Sequence, residues 1–72
     1  MRGISLYDYD LSREEWEGLI DAYIFSERDR ALLKRRLLDG IIYEDLGEEF
    51  GLSDVQVKRI VKNKSQYLFR HL

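Results

Sequence analysis

The sequence predicts an all-α fold: a small four-helix domain behind an extended N-terminal arm. Three observations predict it. Apolar residues recur at helical spacing over most of the 72 residues, which gives each segment one face to bury. Three S-x-x-(D/E/Q) tetrads stand at the starts of those patterns, each able to satisfy orphan amides of a first turn. No proline interrupts the chain, and Gly40 and Gly51 close apolar runs where a left-handed residue ends a helix.

Residues 1–11, with Leu6, Tyr7 and Tyr9, show no clear period and are expected to form the arm; the helical domain takes 12–72. Ser12 with Glu15 opens the first helix, over 13–24, and Leu11 can staple onto Trp16 across that cap. Trp16, Leu19, Ile20 and Tyr23 form its stripe. Ser26 with Asp29 opens the second, over 27–39, whose buried side is Ala31, Leu32, Leu33, Leu37 and Leu38. A short third helix spans 42–50. Ser53 with Gln56 opens the fourth, where Leu52 can meet Val57, and its apolar face continues through Ile60, Val61, Tyr67, Leu68 and Leu72. Glu14, Glu15, Glu27, Asp29, Glu44, Asp45 and Asp54 fall in first turns, where the helix dipole favours anions.

Composition excludes several classes of function. There is no cysteine, so neither disulfides nor cysteine-bound zinc can staple the domain, and the one histidine, His71, has no obvious partners for a metal. No apolar run suffices for a membrane span and no signal peptide is visible, and together with the lack of cysteine this gives the expectation of a cytoplasmic location. Asn63-Lys64-Ser65 spells a glycosylation acceptor that this localisation makes a coincidence. No nucleophile elbow, phosphate loop or paired-acid arrangement suggests an enzyme, and no cofactor is implied. Net charge is −2, but it is unevenly spread. Residues 1–26 hold two basic and six acidic residues (−4), 27–51 five and seven (−2), and 52–72 five and one (+4). The basic end is where a nucleic-acid-reading element would lie.

Gly51 is the pivot of a helix-turn-helix pattern, in which two helices meet steeply across a three- or four-residue turn. Leu46, Phe50, Leu52, Val57 and Ile60 supply its apolar positions and Gly47 the small one. Asp39 to Ser53, read as DGIIYEDLGEEFGLS, resembles the helix-turn-helix core of sigma-factor region 4, and SERDRALL from Ser26 resembles the helix before it. Val57-Lys58 is similar to the apolar-basic pair inside that family's reading helix. The resemblance covers about 26–64. It implies a small DNA-binding protein of the kind carried by prophages and other mobile elements. Ile42 stands where the family often caps with serine, and Gly47 replaces the usual alanine at about 1 kcal/mol of helix propensity. Asp54 and Val55 stand at the family's base-reading positions, which implies a site other than the ordinary −35 element. At 72 residues, a complete sigma factor is not expected.

The expected activity is therefore transcriptional regulation by sequence-specific binding of double-stranded DNA, with the helix after Ser53 in the major groove. Its first residues reach base edges and its flanks hold phosphates. Arg59 is the candidate for guanine and Val55 for a thymine methyl. Lys58, Lys62 and Lys64 are candidates for phosphate, and Ser53 can donate to phosphate at the helix start. Asp54 would repel phosphate unless it accepts from cytosine or orients Lys58, four residues on. Lys34-Arg35-Arg36 either grips a neighbouring phosphate or satisfies a helix end. Trp16, Tyr43 and Phe50 are expected in the core. Glu44, Asp45, Glu48 and Glu49 are expected to be a solvated acidic face. One short reading helix contacts a half-site, which favours a homodimer through Tyr7, Tyr9, Tyr67 and Phe69. The alternative is a protein-interaction module that binds RNA polymerase or another regulator through the acidic N-terminal half.

Overall fold

Serine caps set three of the four helix starts in the structure, a computed structural model that describes residues 11–71. Helix α1, Arg13–Tyr23, begins with a complete capping box: the Glu15 amide donates to Ser12 Oγ at 3.2 Å and the Ser12 amide donates to Glu15 Oε1 at 3.0 Å. Helix α2, Glu27–Leu33, starts after Ser26, whose hydroxyl accepts from the Asp29 amide. The return half of that expected box is missing. The Asp29 carboxylate is buried and takes Arg28 and Lys64 as its partners instead of the Ser26 amide.

Helix α2 was expected to run unbroken to Asp39. It passes instead into a wider π-helical turn over Lys34–Leu38, in which the Asp39 amide reaches back to the Lys34 carbonyl at 3.3 Å. Gly40, at φ 70°, then reverses the chain. Three consecutive cations leave this turn in three directions. Lys34 meets Asp21 of α1 at 2.8 Å, Arg35 meets Glu49 of α3 at 2.8 Å, and Arg36 donates to the Ile41 carbonyl at 3.1 Å. The hydrogen bond from Lys34, chiefly, holds the Asp21 carboxyl below its ordinary pKa. Helix α1 ends with no cation of its own in its last turn, and Arg30 of α2 supplies one by donating to the Asp21 and Ile24 carbonyls.

Helices α3, Tyr43–Phe50, and α4, Asp54–Arg70, complete an all-α architecture with no strand among the described residues. Ile42 leaves α3 without a side-chain cap, as its apolar side chain requires. Helix α4 packs against each of the others. The core between them is Trp16, Ile20, Ile24, Leu32, Leu33, Leu46, Val57, Val61 and Leu68. Leu37, Leu38 and Phe50 are half-buried around it, and Ile24 fills it from just beyond the end of α1. The expected arm and Leu72 lie outside the described residues.

Candidate nucleic-acid interface

Close approach of α3 to the turn positions α4. A Cβ built on Gly47 would lie 2.5 Å from the Leu52 carbonyl oxygen, so glycine is required here and the helix-propensity cost of omitting alanine is secondary. Gly51, at φ 68°, turns the chain, and the Leu52 amide closes it onto the Gly47 carbonyl at 2.8 Å. Ser53 then opens α4 with a complete box. The Gln56 amide donates to Ser53 Oγ at 3.1 Å and the Ser53 amide to Gln56 Oε1 at 2.9 Å. Leu46 and Val57, both fully buried, lock α3 to α4 on either side of the turn. Helices α3 and α4 are thus joined through the three residues Gly51, Leu52 and Ser53.

The face of α4 turned away from this packing carries most of the expected contact residues. Asp54, Val55, Lys58, Arg59 and Lys62 are all exposed, whereas Val57 and Val61 are buried and Ile60 half-buried. Val55 is 61 % exposed, an apolar side chain displayed to solvent beside cations. Ser53 keeps its hydroxyl proton available, because in the capping box its oxygen only accepts. Asp54 does not orient Lys58. No ion pair joins them; the Lys58 ammonium sits over the Tyr43 ring, 5.8 Å from its centroid.

Lys64 does not join this face. It is half-buried and turned toward α2, with Nζ 3.8 Å from Asp29 Oδ2. Five residues along a helix is a rotation of ~140°, which puts Lys64 well round the barrel of α4 from Arg59. Tyr43, expected in the core, is half-buried and serves a second purpose. The Arg36 guanidinium lies 4.2 Å from its ring centroid, so the ring holds Arg36 and Lys58 together. Of the expected dimer contacts, Phe69 is half-buried with its ring edge-on to Trp16 at 5.7 Å. Tyr67 packs edge-on against His71 at 4.6 Å and remains 40 % exposed. Tyr7 and Tyr9 lie outside the described residues.

Ion pairing separates the cations into two groups. Arg13, Arg28, Arg30, Lys34, Arg35 and Lys64 each reach a carboxylate. Among the described residues, Arg36, Lys58, Arg59, Lys62 and Arg70 reach none. Four of these five belong to α4 and the fifth is tied to α4 through Tyr43. Carboxylates thus neutralise the cations of α1 and α2 and leave most of those on α4 unneutralised. The sequence alone did not mark Arg36 apart from its two neighbours, because the direction each takes depends on the π-helical turn.

No group of three or more histidine, cysteine, aspartate or glutamate side chains among the described residues could hold a metal ion. No helix among them is long and apolar enough to cross a membrane. No family model, curated protein or solved structure matches the chain.

Proposed function

We propose that the chain is a sequence-specific double-stranded DNA-binding transcriptional regulator that sets the start of α4 in the major groove. The observation that supports this most is the segregation of unpaired cations onto the exposed side of α4 and the adjoining Arg36. Unpaired lysine and arginine on one convex helix are what a phosphate backbone recruits, by releasing its condensed counterions.

In this reading Arg59 offers its planar fork to guanine O6 and N7, and Val55 meets a thymine methyl. Lys58, held beside Arg36 by Tyr43, and Lys62 take phosphates on the flanks. Ser53 donates its hydroxyl proton to a phosphate at the helix start. Asp54, free of any ion pair, accepts from cytosine N4. Regulation follows from occupancy of an operator or promoter-proximal site, with no chemical step.

The test is fluorescence anisotropy on duplex DNA across salt, comparing the wild type with Lys58→Ala/Arg59→Ala. Binding that weakens steeply with salt and falls at least tenfold in the double variant supports the reading. Absence of binding by the wild type at low salt removes it. One observation favours a second reading, a module that docks on a basic protein surface such as one of RNA polymerase: Glu44, Asp45 and Glu48 of α3 are exposed and reach no cation among the described residues. Charge reversal at these three positions would abolish polymerase capture under that reading and leave duplex affinity undiminished under the first.

A further inference from the structure

Helix α4 is longer than a reading element needs. Seventeen residues extend over ~25 Å, about twice the width of the major groove. Its C-terminal half does not become an ordinary solvated helix once past Lys62. In a chain with fourteen acidic residues, α4 contains only Asp54, at its first position. From Val55 onward, exposed side chains recur at three- and four-residue steps along one face as Arg59, Lys62, Asn63, Gln66 and Arg70. Eleven residues separate Arg59 from Arg70, a rise of ~16 Å and a rotation that returns to within ~20° of the same meridian. Both guanidiniums therefore project from the same side of α4, and neither reaches a carboxylate among the described residues.

We infer that duplex DNA is held along the whole exposed length of α4, with Gln66 continuing the contact face and Arg70 gripping the phosphate ridge on the far wall of the groove from Lys58. This rests on the DNA-binding reading above and assigns its footprint. The geometry matches a duplex because the groove is about 12 Å across. A helix with cations ~16 Å apart on one meridian meets bases with one end and overhangs the bounding backbone with the other. The competing account of Arg70 is local. It sits in the last turn of α4, where the helix dipole favours a cation whatever the surface does. That account predicts a small change in stability and none in binding.

The experiment is the same anisotropy titration over roughly 50 to 200 mM salt, run on several unrelated duplexes. Each phosphate contact contributes about 0.9 to the slope of log K against log salt. Arg70→Ala should weaken binding several-fold on every duplex alike and make that slope shallower by about one, with Arg70→Lys restoring the slope. Arg13→Ala, which removes a guanidinium committed to Asp39 at 2.8 Å, should leave the slope unchanged. If the wild type binds, the Lys58→Ala/Arg59→Ala variant loses binding and Arg70→Ala keeps the wild-type slope and affinity, the extended footprint is wrong and the DNA reading stands. If the wild type binds no duplex, both fall.

Discussion

A methyl group on Gly47 would lie 2.5 Å from the Leu52 carbonyl oxygen, whereas one on Gly18 would meet nothing within 4 Å. Both glycines are helical, in α3 and α1, so helix propensity alone treats them alike. Gly18→Ala is expected to stabilise the fold by about 0.5–1 kcal/mol, the ordinary gain for a mid-helix glycine. Gly47→Ala is expected to destabilise it by about 1–3 kcal/mol, because a backbone oxygen cannot yield as a side chain can. Urea denaturation midpoints decide it, and stabilisation by both would mean that the turn relaxes easily. Gly47 was readable in the sequence as the small position of a turn. That no other small residue fits was not, because the constraint comes from a carbonyl five residues away in the chain.

Serine-based starts were the most readable part of the helices. Each tetrad marked the residue before a helix, and the first and third form complete boxes. The second failed in its return bond because Asp29 is drawn to cations of two different helices, a tertiary effect that spacing does not encode. The π-helical turn was unreadable for a related reason. The apolar pattern over 27–39 runs without a break, and the extra width serves contacts that Lys34 and Arg35 make with α1 and α3. The first box also gives α1 a dependence on pH. Hydrogen bonding from the Ser12 amide holds the Glu15 carboxyl below its ordinary pKa. A depressed carboxyl contributes stability that is complete above its unfolded value, about 4.3, and is lost as pH falls through the folded one. Glu15→Gln keeps an acceptor for that amide, as Gln56 does in α4, and has no proton to gain. Its stability should therefore fall less than the wild type's between roughly pH 5 and pH 3. Parallel curves for the two proteins would show that the Glu15 bond does not survive in solution.

For the molecule as a whole, the charge polarity seen along the chain survives folding in a sharper form. The basic third of the sequence was expected to act as one surface, and ion pairing divides it. Lys64 belongs to the fold, through Asp29, while Lys58, Arg59 and Lys62 face outward. Lys64→Ala is accordingly expected to cost less than about 1 kcal/mol of stability, since the lysine is part-exposed, and to leave the salt slope of duplex binding unchanged. A shallower slope in that variant would return Lys64 to the interface. The division was invisible in the sequence because both kinds of lysine recur on the same helix; only the position of α2 distinguishes them.

The two contacts made by α4 through its cations, Lys58 onto Tyr43 and Lys64 onto Asp29, hold different flanks of the helix. Together with Val57 and Val61 they index it like a keyed shaft, fixed against rolling about its own axis. The side chains of Asp54, Val55, Arg59 and Lys62 take no part in that indexing: none makes a hydrogen bond, ion pair or ring contact among the described residues. The four positions behave as type in a fixed frame. Under the DNA-binding proposal, a lineage or an engineer could exchange them to change the sequence that is read without resetting the helix that presents them.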